Sequence, residues 1–226
     1  MAQWAAAAET TEHAVWALAV ATTLASYTET DDVCLGTVWA NRDHSQTETC
    51  VGFLATTLPL RCPVPADCTA AQALDALTRR MTALLERQAT PLSAVVDALR
   101  AAHVIVGSDL PFQALFNYRS QELPDLKGWE VVELGVSGMV DGAAKAPIGI
   151  TLAPAERGLR GEVEFREGAL DPVHAAGFAA ALIAVADQLS ADPAQPLGQI
   201  LVPSTVDSTI GQEPSGLVLD ALTRVQ

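Results

Sequence analysis

Basic residues are scarce in this chain. It holds 13 lysine and arginine residues against 27 aspartate and glutamate residues in 226 positions, which gives a formal net charge of −14. Nucleic acids and anionic membrane surfaces are bound through basic patches, so the composition disfavours both classes of partner. The acidic balance predicts a well-solvated surface rather than a specific binding site.

Long apolar runs are missing as well. The longest near the start, Ala14–Ala25, is shorter than the ~20 residues that a membrane-spanning helix needs. Glu9 and Glu12 precede this run, where a secretion signal would carry lysine or arginine. The run therefore predicts a buried helix, and the absence of an export signal predicts a cytoplasmic protein.

Cysteine is present but not in a metal-binding arrangement. Of the four cysteines, Cys62 and Cys68 are six positions apart rather than in a C-x-x-C pair, and no histidine completes a ligand set. We expect no metal site. In a cytoplasmic protein the cysteines are expected to be free thiols.

Motifs for nucleophilic or phosphate chemistry are incomplete. Gly135–Gly138 begins like the G-x-S-x-G elbow, but the fifth position is Met139. The three glycines between 158 and 168 lack the spacing of a phosphate-binding loop. The histidines are isolated in sequence, so each needs a partner delivered by folding to serve as a general base; they are His13, His44, His103 and His174.

Half of the residues are apolar and 18% are charged, which is typical of a globular chain with a substantial core. Hydrophobic periodicity and turn residues divide it into helices and strands. Helices are predicted over 11–27, 69–85, 91–99 and 171–191, and strands over 33–40, 51–60, 113–118, 130–136, 148–152 and 159–165, with a polar loop over 43–49.

Two of the helix starts have specific signals. Thr69 and Gln72 form a capping box, and an apolar stripe follows at helical spacing: Leu74, Leu77, Met81, Leu84 and Leu85. Asp171 and Pro172 are a favoured cap and first helical residue.

The alternation of elements predicts an α/β (α+β) sandwich, in which helices flank a mixed β-sheet. We assign residues 1–203 to this domain and 204–226 to a linker, 204–216, followed by a short amphipathic helix, 217–225.

Two neighbouring segments identify a family resemblance. Gly36–Arg42 is similar to a G-x-x-x-A/S-x-R motif, and Val51–Arg61 is similar to V-G-x-F-x-N-T-L-P-L-R. In this order and at this separation they resemble the C-terminal lobe of condensation domains from nonribosomal peptide synthetases, within the chloramphenicol acetyltransferase-like superfamily.

Further segments extend the resemblance over about residues 11–203. Leu24–Val33 is similar to L-A-x-Y-T-x-x-D-D-V, and Glu86–Leu92 keeps Gln88 and Pro91 of H-Q-D-x-P-F. Pro111–Tyr118 resembles P-L-F-Q-V-L-F-N-Y, and the segments 158–165 and 171–196 resemble the family's next-to-last strand and closing helix.

The resemblance implies one of two lobes that enclose a tunnel, into which carrier-bound thioesters enter from opposite ends. The family's catalytic motif, H-H-x-x-x-D-G, lies in the other lobe and occurs nowhere in this sequence. No catalytic residue is therefore assigned here. No cofactor is expected to bind directly, and substrates are expected on the phosphopantetheinyl arms of carrier proteins.

The resemblance also selects the residues expected at the substrate tunnel or the lobe interface. Thr56 replaces the family's asparagine, and Thr keeps only a shorter hydroxyl where an amide both donates and accepts. Arg42 is expected to make a structural ion pair or hydrogen bond at the lobe junction, and His44 lies between the two motifs. The full set is Arg42, His44, Phe53, Thr56, Thr57, Leu58 and Asn117.

Two functions remain open at this point. The chain is either half of a split enzyme that forms amide bonds together with an N-terminal lobe on another polypeptide, or a non-catalytic scaffold for carrier or synthetase partners. In either case we expect it to bind a partner lobe or a second copy of itself, and to be inactive alone. Met1 and the tail after Pro203 favour a free-standing chain over a piece of a longer synthetase.

Overall fold

The computed structural model describes residues 1–42, 45–107, 109–119, 146–155, 158–166, 172–203 and 217–223. Its helices are α1 Ala2–Ala7, α2 Glu12–Thr28, α3 Ser45–Glu48, α4 Ala70–Leu85, α5 Leu92–Ala101 and α6 Pro172–Ala191, with a 3-10 turn at Leu197–Gln199. Its strands are β1 Asp32–Trp39, β2 Thr56–Pro63, β3 Ala114–Tyr118, β4 Ile148–Ala155, β5 Gly158–Phe165 and β6 Leu217–Thr223. The predicted strand 130–136, the segment Gly135–Gly138 and the predicted linker 204–216 lie outside the described residues.

The described strands form one mixed sheet in the order β2-β1-β3-β4-β5-β6. The pairs β1–β3, β3–β4 and β5–β6 are parallel, and β1–β2 and β4–β5 are antiparallel. Helices α2, α4 and α6 pack against this sheet, and α2 also packs against both α4 and α6. The predicted mixed sheet with flanking helices is confirmed.

Helix α2 is the centre of the core. Its hydrophobic residues are distributed around the whole circumference, and the residues from Ala14 to Leu24 are all buried. A helix without a polar face has to be enclosed on every side, and α2 lies between α4, α6 and the sheet. The Thr11 side chain accepts a 3.2 Å hydrogen bond from the amide of Ala14 and so fixes where the helix begins.

Helix α4 begins with both halves of the predicted capping box. The Thr69 hydroxyl accepts from the Gln72 amide, and the Gln72 side chain accepts from the Thr69 amide. Of the predicted apolar stripe, Leu74, Leu77 and Met81 are buried, whereas Leu84 and Leu85 are half-buried. The buried stripe holds α4 on β2 and α2.

The two faces of the sheet differ in what covers them. One row of paired residues faces the helices and is buried: Leu58, Thr37, Phe116, Ile150 and Val163. The neighbouring row points to the opposite face and contains Pro59, Gly36, Leu115, Gly149 and Glu164. The ring of Phe112 packs over Gly36 on this second face.

Three sequence-based expectations were wrong in detail. The segment 217–225 was expected to be a helix, but residues 217–223 form a strand parallel to β5. An isolated helix of nine residues is marginal in water, whereas β5 offers a complete set of backbone partners. The strand predicted from Val51 begins at Thr56, and the polar loop 43–49 contains the short helix α3.

Within the described part of the chain, no helix combines the length and hydropathy required to cross a membrane. All four cysteines are free thiols.

Candidate functional site

A cavity of about 810 Å³ lies where the first turn of α2, the end of β1 and the last turns of α4 come together. Glu9, Glu12 and His13 line it from the α2 side, and Arg42 lines it just beyond β1. Its apolar wall includes Val38, Trp39, Met81 and Leu85. The volume lies within the range of small-molecule sites, which is ~300–1,000 Å³.

Tyr118 and Glu12 close one side of this cavity. The Tyr118 hydroxyl donates a 2.7 Å hydrogen bond to Oε2 of Glu12, across 106 residues of sequence. Burial, followed by this bond to a carboxylate, raises the pKa of Tyr118 well above its ordinary value. The tyrosine therefore stays protonated and acts as a donor to Glu12. Both residues also line an adjoining cavity of about 390 Å³ next to α6.

His13 reaches the sheet from the first turn of α2. Its Nε2 lies 2.8 Å from Oγ1 of the buried Thr37, and its ring lies 5.2 Å from that of Phe116, centroid to centroid. Burial lowers the pKa of His13 from 6.5 to about 4. The imidazole is therefore neutral at physiological pH and shares a single hydrogen bond with the threonine hydroxyl.

Arg42 organises the loop that follows β1. Its Nη1 donates to the carbonyls of Thr47 and Cys50 at 2.8 and 2.7 Å, and its Nη2 donates to the carbonyl of Gly52 at 3.2 Å. One guanidinium thus gathers three backbone acceptors of the segment 47–52, a geometry that the flat fork of arginine suits and a single ammonium does not. The contacts of Arg42 are those of a residue that holds a loop in place.

The loop held by Arg42 presents two apolar side chains to solvent. Val51 is 104% exposed and Phe53 is 91% exposed relative to the extended residue. Phe53 lies before the start of β2 and so outside the paired strand. The two side chains lie two positions apart, and contiguous exposed apolar surface is typical of sites that contact another molecule.

The remaining predicted residues are distributed over both faces of the sheet. Thr56 pairs with Trp39, and Leu58 pairs with Thr37, so both lie on the helix-facing side, where Leu58 is only 3% exposed. Thr57 and Asn117 are half-buried and belong to the alternate rows on the opposite face. Of the predicted set, Arg42 alone is among the described cavity-lining residues, and His44 lies outside the described part of the chain.

Sequence reasoning missed the cluster of Glu12, His13 and Tyr118. Each is isolated in sequence, and α2 and β3 bring them together only through the packing of the core. The available signal was the polar pair Glu12–His13 at the start of an otherwise apolar helix, since such residues need polar partners once the helix is buried.

The condensation-domain family profile matches residues 1–209. Malpinin synthetase of Mortierella alpina is 30% identical over 143 residues, which are 62% of this chain and 2% of that protein. Surfactin synthase subunit 2 of Bacillus subtilis is 29% identical over 104 residues, which are 46% of this chain and 3% of that protein. The chain thus spans only a small fraction of the curated relatives that it matches.

Solved structures share the fold at low sequence identity. The X-domain from teicoplanin biosynthesis superposes with a TM-score of 0.68 at 18% identity, over 89% of this chain and 46% of that one. The first condensation domain of the calcium-dependent antibiotic synthetase, solved with a substrate analogue, gives 0.67 at 17% identity, over 90% and 44%. In each case this chain corresponds to a little less than half of the solved structure. The family match over residues 1–209 establishes that the chain belongs to the condensation-domain family, and the order of its motifs resembles that of the family's C-terminal lobe.

Proposed function

We propose that this chain is the C-terminal half of a split condensation domain. It forms an amide bond between carrier-bound substrates only together with an N-terminal lobe that carries H-H-x-x-x-D-G. The chain superposes on 44% and 46% of two solved structures of this fold, and its sequence lacks the histidine motif. These two observations together support the proposal most directly.

The described side chains support a positioning role rather than a chemical one. His13 is half-buried and neutral, and its hydrogen bond to Thr37 holds it in place. Arg42 is committed to three backbone carbonyls. The hydroxyl beside His13 is that of Thr37, which is only 3% exposed, so substrates do not reach it. This half therefore contributes a wall and a docking surface, and orientation of substrates is itself a large source of rate acceleration.

The loop of Val51 and Phe53 is the surface on which we place the partner lobe. Two nearly fully exposed apolar side chains on a loop fixed by Arg42 offer a preformed contact, and burial of a large aromatic typically dominates the energy of an interface. The partner is therefore expected to cover Phe53.

Reconstitution tests the proposal. The chain is mixed with an N-terminal lobe bearing the histidine motif, and with carrier proteins loaded as donor and acceptor thioesters; amide product is followed by mass spectrometry. We expect background product from either half alone and turnover from the pair. Phe53→Asp should weaken association and turnover together, whereas Phe53→Leu, which keeps an apolar side chain, should retain most of both. Turnover by this chain alone would contradict the proposal.

A non-catalytic scaffold is the second candidate. It is favoured by the structure of the teicoplanin X-domain in complex with OxyB, in which a protein of this fold binds another protein. A chain that binds carrier proteins or a partner lobe in the same mixture, yet yields no product above background with any active N-terminal lobe, fits the scaffold instead.

A further inference from the structure

The cavity between α2, the end of β1 and α4 has no role in the proposed pairing of lobes. We propose that it binds a small apolar amine, with the ammonium group against the carboxylate of Glu12 and the apolar body against Trp39, Met81 and Leu85. This is a binding site additional to the condensation function, and it shares Arg42 with the loop on which we place the partner lobe.

Size and shape support a ligand in this place. A volume of about 810 Å³ accommodates a molecule of roughly amino-acid size or larger. The lining separates into a polar side, from the start of α2, and an apolar side, from β1 and α4. An amphipathic molecule matches this division, because its polar end contacts the polar side and its apolar end contacts the apolar side.

The charges on the polar side select a cation. Glu9 and Glu12 both line the cavity, and Arg42 is the cationic residue among its described lining. The Arg42 guanidinium already donates to the carbonyls of Thr47, Cys50 and Gly52, whose dipoles offset part of its charge. His13 adds no charge, because burial keeps it neutral at physiological pH. Two carboxylates against one engaged guanidinium leave the cavity negative.

Glu12 is the group best placed to meet the ammonium. It is half-buried, its Oε2 accepts from Tyr118, and none of the ion pairs within the described residues involves it. A carboxylate has about four acceptor positions on its two oxygens, so the bond from Tyr118 leaves room for the donors of an amine. Tyr118 holds the carboxylate in one orientation and thereby pre-organises it for the ligand.

The apolar side offers a suitable surface for a hydrocarbon or aromatic body. Met81 is 9% exposed and Leu85 is half-buried on the last turns of α4, and Trp39 closes the end of β1. An indole adds favourable contact with a cation as well as with an apolar ring. The combined surfaces of carboxylate, indole and aliphatic side chains are those expected to bind arylalkyl amines.

Calorimetric titration with 2-phenylethylamine tests this inference, with 2-phenylethanol and 3-phenylpropionate as neutral and anionic counterparts of similar size. We expect saturable binding of one amine per chain, about tenfold tighter than the alcohol, and no binding of the carboxylate. Glu12→Gln should lower the affinity for the amine about tenfold, to that of the alcohol, and leave the alcohol unchanged. Tyr118→Phe should cause a smaller loss.

The matched control is Glu29→Gln, which removes the same charge at the opposite end of α2. It should leave both affinities unchanged, and thermal melts should show that each variant is folded. Equal affinity for amine and alcohol, preference for the carboxylate, absence of saturable amine binding up to about 10 mM, or an equal loss in Glu29→Gln would each overturn the inference. None of these readouts depends on amide formation, so this inference and the proposed function can fail separately.

Discussion

A β-carbon placed on Gly36 would lie 2.5 Å from the ring of Phe112. The ring is 4% exposed, and it occupies the space that any larger residue at position 36 would need. The glycine of the first family-like motif is therefore explained by packing in this lobe, and it couples β1 to the segment that leads into β3.

Gly36→Ala should destabilise the lobe by about 1–3 kcal/mol, the usual cost of overpacking a filled site. Chemical denaturation measures the change. Gly149→Ala is the matched control, because a β-carbon there meets Glu164 at an ordinary 3.6 Å; it should be near neutral. Equal losses in the two variants would show that strand propensity, and not the Phe112 contact, sets the cost.

Phe112→Ala should cost about 3–5 kcal/mol, because it leaves a cavity over the sheet. If the two residues are coupled as the geometry indicates, Gly36→Ala should cost much less in the Phe112→Ala background than in the native one. A double-mutant cycle in denaturant measures this coupling, and strictly additive losses would contradict it.

Acidification should weaken the fold through His13. The pKa of His13 is about 4 in the folded chain and 6.5 in the unfolded chain. Between these pH values the histidine is protonated in the unfolded chain and neutral in the folded one. Stability should therefore fall as pH drops through this window, by up to about 1.4 kcal/mol per unit. Denaturation at pH 7 and pH 5 measures the difference.

His13→Gln isolates the histidine contribution, because glutamine retains a group for Thr37 but does not titrate. The loss of stability between pH 7 and pH 5 should be smaller in this variant. An unchanged loss would assign the acid sensitivity to other groups.

Arg42→Ala should release the segment 47–52 without unfolding the lobe. Three carbonyls lose their donor at once, so amide hydrogen exchange in this segment should accelerate while the core remains protected. Arg42→Lys should restore only part of the protection, since one ammonium cannot span three acceptors. Arg79→Ala, which removes an exposed i,i+4 ion pair with Asp75, is the control and should have little effect.

Thiol alkylation should distinguish the cysteines. Cys50 is exposed on the Arg42-held loop, whereas Cys62 is 1% exposed and burial raises its pKa well above the ordinary value. Burial also raises the pKa of Cys34, to about 11. With iodoacetamide at pH 7.5, a value at which these shifted thiols stay protonated, mass spectrometry should find Cys50 modified first, and Cys50→Ser should remove the fast phase.

The sequence predicted most of the fold because the relevant signals are local. The capping box of Thr69 and Gln72, the apolar circumference of α2 and the start of α6 at Pro172 each depend on neighbouring residues. The error at 217–225 arose because a strand there depends on β5, some 60 residues away, and a local pattern does not contain that partner. The start of β2 shifted for a similar reason, since the residues before Thr56 are drawn into the loop that Arg42 holds.

The candidate site was less predictable. Arg42 could be selected because its motif is local, but Glu12, His13 and Tyr118 meet through the packing of α2 on β3. Nothing near Tyr118 in sequence indicates a carboxylate 106 positions earlier. Sites assembled from separate elements become visible only when the tertiary contacts are known.

Strand β2 forms one edge of the sheet, and it contains Pro59 and, as its last residue, Pro63. Neither has an amide hydrogen, so an approaching strand would find donors missing at alternate positions of the same row. This edge is consequently a poor template for strand addition, which protects the lobe from edge-to-edge aggregation on this side. Any stable companion on this side has to be recognised through side chains, which confers selectivity that backbone pairing would not provide.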